Sequence, residues 1–382
     1  MQTIKITDFY DEFRPYNETE ALEAVKRIAE NNRFKQIFQY FFPKLTDKAF
    51  LQLMNSVHSI NDFQMKIMHQ IADQVIHNTI TEIKISGLEH INKNKHYVFI
   101  SNHRDIIWDA TLFQYLLVAN GFQTTEITFG NNLMEDPLVL DIGKTNKMFK
   151  VYRKGTPKEL LKKTIQLSEY IRYTVFNKKQ SVWIAQRGGR TKNGNDKTQS
   201  GVIKMLNASG TKSFEENMHE LNIIPLSVSY EFEPNDYLKV KELLNTHNGK
   251  YEKAPDEDIN SIIDATCNKK GYVHIAVGKS INSSLHLTEK ISRTNLKVNK
   301  LAEIIDTEIY KNYHLFPNNY IACDLLKKSE KYSKNYSKKE KENFIAHKKE
   351  QLNKINNHSE KAEKLFLEIY ANPVININYK TD

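Results

Sequence analysis

Residues 98–113, VFISNHRDIIWDATLF, set an imidazole and two carboxylates directly after a short apolar run. A neutral histidine, with an ordinary pKa of about 6.5, can accept a proton at cellular pH. A carboxylate beside it orients the ring and favours the imidazolium that forms. Asp105 and Asp109 both stand close enough in the chain to serve His103. The triplet His103-Arg104-Asp105 also matches the opening of a protein-kinase catalytic loop, and that reading can be tested at once. Such a loop needs asparagine five residues after its aspartate, and that position holds Ala110. No glycine-rich loop precedes the triplet and no Asp-Phe-Gly follows it. The kinase reading fails.

Three later stretches also set polar residues against an apolar strand. FKVYRKG places Arg153 after Phe149 and Val151. SVWIAQRGGRTKNGNDKTQSG follows a strand with Gly188, Gly189, Arg187, Arg190, Lys192 and Lys197. IIPLSVSYEFEP is a strand interrupted near its start by Pro225. Taken singly, a strand ending in arginine is an ordinary surface ion pair and a basic Gly-Gly loop an ordinary turn. Paired arginines beside adjacent glycines nevertheless let backbone and guanidinium groups converge on a phosphate. The spacing in RGGRTKNGNDK is not that of a nucleotide-binding P-loop.

Positioning these groups is the task of the surrounding elements. Residues 18–80 read as amphipathic helices, among them TEALEAVKRIAEN and RFKQIFQYFFPKL. The second carries a stripe of Phe34, Ile37, Phe38, Phe41 and Phe42 edged by basic residues, suited to a core or to a membrane interface. From Glu82 strands and helices alternate: EIKISG, YVFISN, TEITFG, NKMFKVYR, SVWIAQ, IIPLSVSYEF and YVHIAVGKSI read as strands. Helices are expected from Asp105 to Asn120, over PKELLKKTIQLSEYIRYTVF and around TQSGVIKMLNAS. The expected fold is α/β, a mixed but mainly parallel sheet flanked by helices, with helical extensions at both ends. The expected divisions are a helical region over 1–81, the α/β domain over 82–290, and a lysine-rich helical region over 291–382.

Composition narrows the function class. No run of about 18 apolar residues is present, so no transmembrane helix is expected. The first residues lack a signal pattern, which points to the cytoplasm. Cys267 and Cys323 fit no metal-ligand spacing and suit a reducing compartment, and both are expected to be small buried or half-buried hydrophobes. The formal charge of +9 favours an acidic partner, and the 13 Lys against 8 Asp plus Glu after Leu325 put about five of those charges in the tail. That tail is a solvated helical face or a docking element for an anionic membrane. Its charges are interspersed with acids and no nucleic-acid module is recognisable, so nucleic acid is not an expected partner.

Taken together and in order, the four stretches resemble the glycerolphosphate/lysophosphatidate acyltransferase family, phospholipid/glycerol acyltransferase domain. The likeness includes the lead-in SGLEHINKNKHYVFISNHRD and covers about residues 86–229. The N-terminal helices and HLFPNNYIACDLL resemble the flanks of a branch whose first block reads Asn-His-Arg-Asp. The resemblance implies a glycerol-3-phosphate acyltransferase-like fold and O-acyl transfer from acyl-CoA or acyl-carrier protein to a lysolipid or glycerol phosphate acceptor. It implies His103 as general base and a carboxylate as its orienting partner, with no acyl-enzyme, cofactor or metal. Arg153 matches the second block, Gly189 and Arg190 the phosphate-binding third block, and Pro225 the fourth. Arg187 joins them as a substrate-binding candidate.

Two departures stand out. The family places four residues between His and Asp, whereas Asp109 follows His103 after five and Trp108 occupies the four-spaced position. Six steps turn about 600° on an ideal helix, so the turn before the helix must absorb the difference. Asp109 is favoured as the partner; Asp105 competes for that role or caps a helix beginning at Ile106. In the third block the family's glutamate is absent, and Gln186 and Arg187 precede Gly188. This leaves room for a phosphate-free aminolipid acceptor or for an inactive, membrane-associated relative. The expected location is cytoplasmic, peripheral to the inner face of the membrane.

Overall fold

The computed structural model describes residues 10–152, 154–246, 251, 253–254 and 257–378. Seven strands form one sheet in the order β1-β7-β6-β2-β5-β3-β4. They are β1 (Ile80–Ser86), β2 (Val98–Ser101), β3 (Glu126–Gly130), β4 (Met148–Val151), β5 (Val182–Ala185), β6 (Ile223–Tyr230) and β7 (Gly271–Val277). Only β6 and β7 pair antiparallel; every other neighbouring pair is parallel. The expected mixed, mainly parallel sheet is present, and each of the seven expected strands contributes to it.

Strands buried on both faces read as near-continuous apolar runs, and β2 and β6 are buried throughout, with Ser101, Ser227 and Ser229 their buried polar residues. Alternation sends Val98 and Ile100 to one face and Phe99 to the other. The first face is covered by α7 (Pro157–Phe176) and α12 (Thr294–Asn312), through residues such as Tyr170, Ile171, Leu301 and Ile305. The second is covered by α4 (His69–Thr79) and α5 (Trp108–Ala119), through Val75, Leu112, Phe113 and Leu116. The remaining helices are numbered in chain order: α1 (Glu18–Glu30), α2 (Asn32–Phe41), α3 (Asp47–Asn55), α6 (Pro137–Thr145), α8 (Ser200–Asn207), α9 (Phe214–His219), α10 (Asp236–Leu244), α11 (Glu257–Cys267), α13 (Pro317–Lys327), α14 (Lys338–Lys354) and α15 (Glu360–Asn378).

The aromatic stripe of α2 divides. Phe34 and Phe38 are buried with Phe50 in a core of their own, while Ile37 and Tyr40 are 42% and 68% exposed. The stripe is therefore mostly core, and the exposed flank is a separate surface. Arg27 and Tyr16 both bind the Asp141 carboxylate of α6 and fasten the N-terminal helices beside β4.

The lysine-rich tail forms α14 and α15, which close an apolar cluster with α13 and α10 around Phe344, Phe366 and Tyr370. Its last helix lies against the loop after β5: the Asn372 amide donates to the Asn193 carbonyl at 2.6 Å. Gly194 has a left-handed φ of +75°, and a Cβ there would stand 2.1 Å from the Ile369 carbonyl oxygen. Gly194→Ala is expected to lose about 2–4 kcal/mol in urea denaturation, from a left-handed non-glycine residue and a backbone clash together.

Candidate active site

Parallel strands deliver their carboxyl ends to one edge, and the polar residues that follow them meet there. His103 follows β2, Gly130 ends β3, Val151 ends β4, and Arg187, Gly189 and Arg190 follow β5. All six line one cavity of about 720 Å³, together with Lys192 of the same loop and Tyr152. Arg153 lies outside the described residues. Pro225 sits within β6 opposite Ile100 and is not among the residues lining the cavity. The fourth block instead supplies Tyr230 and the Val228 backbone, both used below.

The turn after β2 resolves the spacing. His103 is not on the helix, so no helical angle separates it from Asp109, which occupies the first turn of α5. Residues 104–107 bend around the Asp109 carboxylate instead. Its Oδ2 lies 3.1 Å from His103 Nδ1 and accepts the backbone N–H groups of Arg104 at 2.7 Å and Asp105 at 2.9 Å. Its Oδ1 accepts the Tyr230 hydroxyl at 2.9 Å. Burial, then the neighbouring Asp109, hold the Tyr230 phenol well above its ordinary pKa, so it stays a donor. Asp105 does a different job: its Oδ1 accepts from the Ile107 and Trp108 amides and closes the turn into α5, which starts at Trp108 rather than Ile106.

With Nδ1 donating to Asp109, the His103 Nε2 is the ring nitrogen available as a base. It makes no hydrogen bond among the described residues. The indole ring of Trp183 stands edge-on to the imidazole, with centroids 6.3 Å apart.

The loop after β5 is anchored at several points along its length. The Gln186 amide donates to the Ser101 carbonyl at 2.8 Å and the Thr191 amide to the His103 carbonyl at 2.7 Å. The Gly188 amide donates to the Gln199 side chain at 2.9 Å. Gly189 has φ of +81°, a left-handed conformation that turns the chain between the two arginines. Arg190 is 4% exposed, and among the described residues its Nη1 has no hydrogen-bond partner; nor has Arg187 Nε. Two guanidinium groups with unmet N–H capacity in one cavity fit an anion. Gln186, in the altered third block, is buried and accepts from the Thr198 hydroxyl, while Arg187 faces the cavity.

A buried network underlies both halves. Arg104, with none of its surface exposed, donates to Asp196 at 2.6 Å, to Glu233 at 3.2 Å and to the Gly194 carbonyl at 3.3 Å. Lys239 donates to Glu233 at 2.5 Å and to the Arg104 carbonyl at 2.7 Å. The Asn102 amide donates to Asp196 and Val228, and its oxygen accepts the Val228 amide. Sequence reasoning missed Arg104, Asp196, Glu233 and Lys239, because a buried charge looks like a surface charge until its partners are known.

An acyltransferase family model matches residues 82–229. The matched stretch, under half of the chain, is similar to that family. The match runs from within β1 to within β6 and contains His103, Asp109 and the whole arginine-bearing loop. No curated relative matches the chain. Among solved structures, the 1-acyl-sn-glycerophosphate (LPA) acyltransferase PlsC from Thermotoga maritima is similar over 75% of this chain and 93% of its own, at 13% identity and a TM-score of 0.35.

Lys192, in the loop after β5, pairs with Glu242 of α10. Burial, then the adjacent Arg190, push its ammonium down to about 7 against the pull of Glu242; Lys239 adds to the depression. The cavity therefore carries an added positive charge below that pH and loses it above. Sulfate, a dianion throughout, is expected to bind about tenfold more weakly at pH 8.5 than at pH 6 by calorimetry, and Lys192→Met is expected to flatten that dependence.

Proposed function

We propose that the protein moves a fatty acyl group from a thioester, carried by coenzyme A or acyl-carrier protein, to a hydroxyl of a glycerophosphate-type or lysolipid acceptor. The observation that carries this reading is one cavity holding a carboxylate-oriented imidazole and two arginines with unmet N–H groups. His103 Nε2 takes the proton of the acceptor hydroxyl as its oxygen attacks the thioester carbonyl. The tetrahedral intermediate then expels the thiolate, which takes the proton back from the imidazolium. Asp109 accepts from Nδ1 and holds the ring in one tautomer. Arg187 and Arg190 hold the acceptor's anionic group, which favours a phosphate-bearing acceptor over a phosphate-free one.

A second cavity supports the acyl half of the reading. It measures about 270 Å³, shares Phe129 with the first, and is walled by Met65, Met68, Ile127, Ile142 and Met148. Its lining is overwhelmingly apolar, as a hydrocarbon chain requires. The reading extends to a cytoplasmic protein resting on the inner face of an anionic membrane. Its supports are the overall positive charge and the exposed Ile37, Tyr40 and Ile263, with Tyr40 and α11 joined through Cys267. No helix among the described residues is long and apolar enough to cross a membrane.

The test is incubation of purified protein with labelled acyl donors and a panel of lysolipids and glycerol phosphate, with lipid products resolved by mass. Transfer is expected for wild type, and His103→Ala is expected to lower it by about 100- to 10,000-fold with circular dichroism unchanged. Equal transfer by both proteins, or by neither, would sink the reading. Thr111→Phe, which fills the apolar cavity, is expected to shift donor preference to shorter chains while leaving the turnover of short donors intact.

A further inference from the structure

Arg104 is the largest fully buried side chain among the described residues and the immediate neighbour of His103. Its main chain and side chain reach in different directions. The backbone N–H belongs to the Asp109 cage that orients His103. The guanidinium reaches the far end of the loop that carries Gly189 and Arg190, at the Gly194 carbonyl and the Asp196 carboxylate. Asp196 in turn accepts from Thr191 at 2.8 Å, one residue beyond Arg190, and Thr191 donates to the His103 carbonyl. The circuit is closed: His103, Arg104, Asp196, Thr191, His103.

The network matches charges, with Arg104 and Lys239 against Asp196 and Glu233. Tyr313 lies with its ring 5.2 Å from the guanidinium carbon, and the Tyr310 hydroxyl donates to the Asp196 carbonyl. Stability alone does not require such an arrangement, since apolar residues of similar volume commonly serve as well as a buried ion pair. A planar fork, however, fixes both the distance and the angle of what it joins.

We propose that Arg104 is a positioning residue: its guanidinium fork sets His103 at a fixed separation from the Gly189–Arg190 anion loop. The role rests on the acyl-transfer reading above for its consequence in catalysis, though not for its geometry. A lysine at this position keeps the charge and loses the fork. If Arg104 only neutralises buried carboxylates, Arg104→Lys leaves each folded molecule as active as wild type. If it positions, the base and the acceptor anion lose registry, and a displacement on the order of 1 Å costs up to about 100-fold in rate.

The experiment compares wild type, Arg104→Lys and Asp196→Asn by acyl transfer per folded molecule and by NMR of labelled histidine rings, with His103→Ala assigning the His103 signals. Asp196→Asn keeps an acceptor oxygen and guards against misfolding of the first variant. Burial already disfavours the charge on Lys239, so that residue can lose its proton and restore neutrality. Displaced His103 ring signals in the folded variants, with transfer lowered about 10- to 100-fold, are expected. Unmoved signals overturn the proposal, whatever the rate does. Displaced signals in a protein whose wild type transfers nothing would retain the positioning role and discard the acyl-transfer reading.

Discussion

A carboxylate removed from water must have its oxygens satisfied by protein donors, and Asp109 meets that demand with four contacts. Two come from the turn that precedes its own helix, one from β6 across the sheet, and one from His103. The turn cannot unwind without stranding a buried charge. The imidazole therefore inherits its position from the carboxylate's need for donors, and α5 inherits its starting point from the same turn.

The sheet supplies the second condition. Because β2, β3, β4 and β5 run parallel, the segments leaving them gather at one edge without any long connection having to cross it. That edge carries the base at the end of β2 and positive charge along the loop after β5. The apolar cavity lies on the α4–α5 side of the same sheet, with Phe129 between the two spaces. Amphiphilic substrates need such a division, since one end must keep its charge solvated or paired while the other avoids water.

Much of this was legible in the chain. The strands announced themselves by apolar runs, and His103, Asp109, Arg187, Gly189 and Arg190 were named from their order along it. The spacing puzzle came from counting His103 as if it were helical; local turn chemistry, which no periodicity reports, removes the conflict. Arg104 looked like one letter of a misleading triplet. Its partners Asp196 and Glu233 are 92 and 129 residues away, so no window of sequence contains the interaction. The same holds for Tyr230 and Asp109, 121 residues apart. The aromatic stripe on α2 was ambiguous for a different reason: one face of a helix shows which residues share a side, not which side meets the core. Arg153 lies outside the described residues, and the second block is represented in the cavity by Val151 and Tyr152.

The placement of α15 against the loop after β5 bears on how the protein comes into being. Contacts between residues 193–194 and 369–372 join the middle of the chain to its far end. Folding that depends on such distant pairings is slow, because the intervening chain must be ordered before they form. During synthesis the histidine and its carboxylate can come together while the ribosome is still making the C-terminal helices. The loop that bears the arginines gains its last support only after residue 372 has emerged. Full shaping of the site therefore waits on α15, and a molecule lacking that helix would have a base beside a less constrained anion loop.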